Sequence, residues 1–139
     1  MPDASVISAS SRTTGGLLLL TIVAIEWGGL FMLRVIRRRH AATPFQMAFF
    51  RAGHAHAGVL VTLSLATQVF VDATGLRGPF EALARSGIPL AAILMPTGFF
   101  LSAWGAEVTA PNRLIALIYV GAVSLGAGAA SLGVGLLAT

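Results

Sequence analysis

The amino-acid sequence predicts an all-α integral membrane protein whose four transmembrane helices form an up-down antiparallel bundle. Of its 139 residues, 56% are hydrophobic and only 10% are charged, whereas a soluble domain is about a quarter charged. The apolar residues also fall into four stretches that each approach the ~20 residues needed to cross a bilayer core. Short polar connections separate these stretches, so neighbouring helices are expected to lie antiparallel. The sequence therefore predicts one four-helix transmembrane domain over residues 15–139.

The N-terminal segment 1–14, MPDASVISASSRTT, is polar and aperiodic, which predicts a disordered tail. The first transmembrane span is expected over about 15–35. A cleaved signal peptide is the alternative, but it requires a basic flank before the apolar region and a small-residue cleavage site after it. Here the basic sequence RVIRRRH follows the apolar region instead, and this order favours a retained helix.

The remaining spans are expected over about 46–71, 86–104 and 114–137. Pro111 and Asn112 precede the last of them, and both residue types commonly begin a helix. The connections between spans are short, so each helix is expected to pack against the one that follows it.

Arginine residues are concentrated at one end of the predicted bundle. Arg37, Arg38 and Arg39 lie in the connection between the first two spans, whereas the N-terminal tail carries a single arginine. Because basic connections normally stay in the cytoplasm, both chain termini are expected outside it. Arg51 lies about one turn into the second span, where its long side chain can reach back to the interface or pair with Glu107. These four arginines are expected to lie at the membrane interface or to contact lipid phosphates, and not to bind nucleic acid.

Small residues recur at four-residue intervals in the second and fourth spans. Such spacing lets two helix backbones approach closely. It serves packing either within the bundle or between protomers, and the pattern fits both. The predicted packing residues are Gly53, Ala57, Ser124, Gly128, Ala129 and Gly133.

Three ionisable residues lie deep within the apolar spans. Glu26 lies roughly 14 Å from the cytoplasmic end of the first span, and His54 and His56 lie roughly 10–14 Å into the second. The two histidines point about 200° apart on one helix, so they do not hold one metal ion or haem iron together. Intramembrane ionisable residues usually face the bundle interior. We therefore expect a buried polar layer in which Glu26 meets one histidine, with Met95 of the third span at the same depth.

The residue inventory limits the functions that this layer can serve. The chain contains no cysteine, which excludes iron–sulfur clusters, thiolate metal sites and covalently attached haem. No H-E-x-x-H or aspartate-rich motif indicates a membrane enzyme. The leading hypothesis is a non-enzymatic accessory or scaffold subunit, bound to the lipid bilayer and to other membrane subunits or further copies of itself. One alternative is a redox protein that binds haem b or quinone, and another is proton-coupled transport with Glu26 and a histidine as relay groups.

Two segments resemble a group of small four-span bacterial membrane proteins of uncharacterised activity. They are ATPFQMAFFRAGHAHAGVLV and GFFLSAWGAEVTAPNRLIALIYVGA, and the likeness extends over most of the chain from the first span onward. The resemblance implies four spans and a bacterial plasma membrane. It implies no activity and no residue role.

Overall fold

The computed structural model describes residues 7–37 and 40–138, and every regular element within those residues is a helix. The helices are α1 (Ala9–Ile36), α2 (Pro44–Asp72), α3 (Gly78–Ser102) and α4 (Ala116–Leu137), with a single 3-10 turn (Arg113–Ile115) leading into α4. All four are long and apolar enough to cross a membrane. The predicted number of helices is therefore confirmed.

The first helix begins at Ala9, well before residue 15 where the first span was expected. Ser8 explains this early start, because its side chain accepts a hydrogen bond from the Ser11 amide at 3.1 Å and caps the helix. Residues 9–14, predicted to belong to a disordered tail, are thus helical. The first six residues of that tail lie outside the described part of the chain.

The second helix has a capping box at its start. The Thr43 hydroxyl accepts from the Gln46 amide at 3.1 Å, and the Gln46 side chain accepts from the Thr43 amide at 3.0 Å. The last helix is preceded by Asn112, whose side chain accepts from the Leu114 amide at 2.8 Å. Asn112 therefore acts as the start signal that the sequence predicts.

The third helix begins at Gly78, earlier than the residue 86 at which its span was expected. Pro79 lies in its first turn, where the missing amide hydrogen would have no partner in the helix. Pro89 and Pro96 lie inside α3 without ending it.

Each helix packs against its neighbour in sequence. Near the start of α1, the Ser11 hydroxyl donates to the Gln68 carbonyl near the end of α2. Near the end of α4, the Ser131 hydroxyl donates to the Phe80 carbonyl near the start of α3 at 2.8 Å. Within the described residues, no sizeable interface joins α1 to α4. The pair α2 and α3 therefore forms the centre, and α1 and α4 each leave a broad apolar face uncovered.

The closest helix contact is between α3 and α4 and depends on two glycines. A Cβ atom on Gly87 would lie 2.7 Å from the Gly128 Cα, and a Cβ atom on Gly128 would lie 3.0 Å from the Gly87 Cα. The Ser124 hydroxyl donates to the Gly87 carbonyl at 2.8 Å in the same contact. Ser124 and Gly128, two of the predicted packing residues, therefore lie in the close contact between α3 and α4.

The other predicted packing residues divide into two groups. Gly53 is buried against α3, since its Cβ atom would lie 3.0 Å from Phe99 and Phe100, and Ala57 is half-buried on the same helix. In α4, by contrast, Ala129 is exposed and a Cβ atom on Gly133 would meet nothing within 4 Å. Ala129 and Gly133 therefore take no part in close packing within the described chain.

We predict that Gly128→Leu lowers the thermal stability of the purified protein by about 1–3 kcal/mol, because the larger side chain overpacks the α3–α4 contact. Gly133→Leu, on the same helix, is the matched control because its Cβ atom enters open space. Thermal unfolding in detergent, followed by circular dichroism, measures both. Equal stability of the two variants would contradict the packing described here.

Candidate functional site

His54 lies in a notch that two consecutive glycines open in α1. A Cβ atom on Gly28 would lie 3.5 Å from His54 Nδ1, and one on Gly29 would lie 3.5 Å from His54 Cε1. The imidazole is half-buried, and neither ring nitrogen has a hydrogen-bond partner among the described residues. The sequence predicts His54 to face inward, and the structure places it against α1. The sequence did not predict that Gly28 and Gly29 make room for the imidazole ring.

His56 contacts α3 instead. Its ring lies against Phe99 with centroids 4.9 Å apart, and its Nδ1 atom is 2.8 Å from the Ala52 carbonyl oxygen. A carbonyl oxygen only accepts, so Nδ1 carries the hydrogen and Nε2 keeps its lone pair in the neutral ring. The two histidines therefore contact different helices, as their angular separation requires. Of the two, His56 has the arrangement of a histidine prepared for ligation through Nε2; haem b or quinone binding stays a prediction.

Glu26 is exposed on α1 rather than buried in a polar layer. Within residues 7–37 and 40–138 it forms no hydrogen bond or ion pair, so the predicted direct contact with a histidine is not made. Glu26 nevertheless lies near the level of His54 along α1, because it precedes Gly29 by three residues, less than one turn of helix. The rotation of α1 about its own axis differs from the expectation. Gly28 and Gly29 lie against His54, so Glu26 lies on the flank of the helix.

Met95, the third residue of the predicted layer, is buried among aliphatic side chains. It belongs to a cluster with Leu60 and Val61 of α2, and it packs against Gly121 of α4. A Cβ atom on Gly121 would lie 2.5 Å from Met95 Cγ. Met95 therefore contributes to the apolar core.

The arginine-rich end of the protein contains the predicted phosphate-contacting residues. Arg37 and Arg51 are exposed there, and Arg38 and Arg39 lie outside the described residues. Arg51 forms no ion pair with Glu107 in the part of the chain that the structure describes. Arg34 and Arg113 are also exposed at this end, which extends the positive surface.

An open hollow of about 770 Å³ lies at the same end, between the connections that precede α2 and follow α3. Gln46 forms part of its wall and donates from Nε2 to the carbonyls of Ala103 at 3.0 Å and Gly105 at 2.8 Å. His40 and Glu107 also line the hollow, and Glu107 has a positive φ of 52°. Because Gln46 uses its amide to fasten the loop, these polar contacts hold the connection in place.

A polar cluster at the opposite end joins α1, α2 and α3, and the sequence did not predict it. Arg85 Nη2 lies 3.1 Å from both Asp72 Oδ1 and Glu81 Oε1, and Nη1 donates to the Ser11 hydroxyl at 2.7 Å. The Ser8 amide donates to Asp72 Oδ2 at 2.9 Å. These bonds fasten the start of α1 to the end of α2 and to the second turn of α3.

Gln68 extends this cluster into the protein. Its Nε2 atom donates to the Arg85 carbonyl at 2.8 Å, and its Oε1 atom is buried without a partner among the described residues. The opposite charges at the two ends of the α2–α3 connection were the available sequence signal for the cluster. Ser8 and Ser11 gave no such signal, because their partners lie 57 to 74 residues away in sequence.

The chain matches no protein-family model, no curated protein and no solved structure. The residues of the chain itself are therefore the basis for inferring its function. The polar features that bear on it are the exposed Glu26, the two histidines with separate neighbours, and the charged groups at the two ends of the helices.

We predict that Arg85→Ala destabilises the protein by about 1–3 kcal/mol, because it leaves the Asp72 carboxylate and the Ser11 hydroxyl without their shared donor. Arg77→Ala is the control, since Arg77 is exposed in the same connection and has no ion pair among the described residues. Thermal unfolding in detergent measures the difference. The cluster would have no structural importance if both variants unfolded at the wild-type temperature.

Proposed function

We propose that this chain is a small, non-enzymatic protein of a bacterial plasma membrane that serves as an accessory or scaffold subunit. Its four helices cross the bilayer as an up-down bundle, with both termini outside the cytoplasm. It joins other membrane helices through the face of α1 that carries Glu26. The helix lengths, the charge distribution and the environment of Glu26 support this proposal.

The charge distribution supports the proposed orientation. Arg34, Arg37, Arg51 and Arg113 are exposed at the end where α1 ends and α4 begins. The opposite end carries three arginines, Arg12, Arg77 and Arg85, against six at this end once Arg38 and Arg39 of the first connection are counted from the sequence. A membrane protein normally keeps its more positive end in the cytoplasm.

The observation that carries the proposed function is the exposure of Glu26 without a partner in the described residues. A charged side chain at the centre of a membrane helix costs about 2.5–3.5 kcal/mol on insertion scales. Even a neutral carboxyl group retains an O–H donor that hydrocarbon cannot satisfy. A protein partner that supplies a polar group at this depth removes that cost. Glu26 therefore marks an interface with protein rather than with lipid.

We predict that a photoreactive phenylalanine analogue at Leu30 crosslinks to another membrane protein chain in native membranes, because Leu30 lies one turn after Glu26 on the exposed side of α1. The same analogue at Val123, on the exposed face of α4, is the matched control. The two sites are 51% and 73% exposed, so accessibility alone favours the control. Electrophoresis and mass spectrometry identify the crosslinked chain.

The proposed function requires crosslinked protein from position 30 in clear excess over position 123. Lipid adducts alone at position 30 would contradict it, since they would show that lipid covers the Glu26 face. Crosslinks of equal yield at both positions would also contradict it, because they would show random encounter in the membrane.

A further inference from the structure

Five residues form a continuous exposed stripe along α1, and Glu26 is its central member. The intervals between them alternate between four and three residues, the spacing of the seam between two supercoiled helices. Four of the five are large apolar side chains that are 46–56% exposed in the single chain. The stripe consists of Leu19, Val23, Glu26, Leu30 and Leu33.

Lipid would suit the apolar members of the α1 stripe but not Glu26. Two exposed hydroxyl groups on these helices bond to their own helix: Thr21 donates to the Leu18 carbonyl at 2.7 Å and Thr62 to the Gly58 carbonyl at 2.9 Å. Glu26 has no such bond within the described residues. It is therefore the member of the stripe that requires a partner from outside.

The outer face of α4 carries no charged residue, and its exposed Tyr119 lies in the first turn of the helix. Its serines at 124 and 131 donate to carbonyl oxygens of α3, both at 2.8 Å. The apolar side chains that remain on that face are compatible with lipid. The polar signal for assembly thus lies on α1.

We infer that the α1 stripe binds the same stripe of a second copy, with the two Glu26 side chains hydrogen-bonded to each other across a twofold axis. This inference rests on the proposed function and names the partner of the same face. Copies inserted with one orientation can pair about an axis along the membrane normal, and each residue of the stripe then meets its own counterpart.

A carboxylic acid suits such a position because it is self-complementary. It donates through its O–H group and accepts through its carbonyl oxygen, whereas a guanidinium or ammonium group only donates. The leucines and the valine of the stripe likewise pack against themselves. A single polar residue within an apolar seam also fixes the register of the two helices.

The absence of cysteine from the chain permits a direct test with single-cysteine variants. Leu30→Cys and Val23→Cys place a thiol within the stripe, and Ala24→Cys places one at the same depth on another exposed part of α1. Ala24 lies about 200° round the helix from Glu26. Two differently tagged copies are co-expressed in native membranes, oxidised, purified through one tag and probed for the other.

We expect disulfide-linked dimers from Leu30→Cys and Val23→Cys, with at least about tenfold less from Ala24→Cys, because a disulfide requires Cα atoms within about 7 Å. Equal yields at all three positions would overturn the inference. A disulfide or photo-crosslink from the stripe exclusively to a different protein would overturn it too, while leaving the proposed function intact. Contact with lipid alone would overturn both.

The role of Glu26 is tested by energy transfer between labelled copies in phosphatidylethanolamine–phosphatidylglycerol vesicles at increasing dilution. Glu26→Ala should weaken dimerisation about 5- to 30-fold, the range given by an interhelical hydrogen bond in a membrane. Glu26→Gln should stay within about threefold of wild type, because an amide also donates and accepts. If Glu26→Ala dimerised as strongly as the wild type, the pairing of the two carboxyl groups would be overturned.

Discussion

A polar group within a bilayer has no water to bond to, so its partner must come from the protein. Several polar side chains along the described helices have such a partner. Hydroxyl groups along the helices donate to backbone carbonyls, as Ser64 does to Leu60 at 2.7 Å and Ser124 does to Gly87. Arg85 is surrounded by two carboxylates and a serine. Glu26 stands out against this background because it is exposed and without a partner in the described residues.

The arrangement of the helices explains why Glu26, the exposed carboxyl group without a partner in the described residues, lies on α1. The pair α2 and α3 is central, and glycines bring α3 and α4 into backbone contact at Gly87 and Gly128. In contrast, α1 packs mainly against α2, with His54 filling the space left by Gly28 and Gly29. Much of the α1 surface is consequently available to a partner. The same polar cluster that fastens the start of α1 through Ser8 and Ser11 holds that surface in a fixed orientation.

The sequence predicts how far along a helix a residue lies better than it predicts which face of the helix that residue occupies. Helix rise fixes depth, so the four helices and the common level of Glu26 and His54 follow from residue counting. Rotation depends on which face finds a packing partner, and α1 is apolar on nearly all sides. The pattern therefore did not reveal that Glu26 lies on the flank of α1 rather than against His54. The Arg85 cluster was missed for a related reason: Ser11 and Arg85 are 74 residues apart, and their contact depends on the packing of three helices.

The early starts of α1 and α3 reflect local capping and a proline in the first turn, which extend both helices beyond their apolar cores.

The most direct measurement is the accessibility of spin labels on α1 to molecular oxygen, which concentrates in the bilayer core. Labels at positions 30 and 24, introduced separately in native membranes, compare the Glu26 face with another exposed part of the same helix. If protein covers the Glu26 face, the label at position 30 is shielded from oxygen and the label at position 24 is not. Equal, lipid-like accessibility at both positions would contradict the central claim that the Glu26 face of α1 is a protein interface.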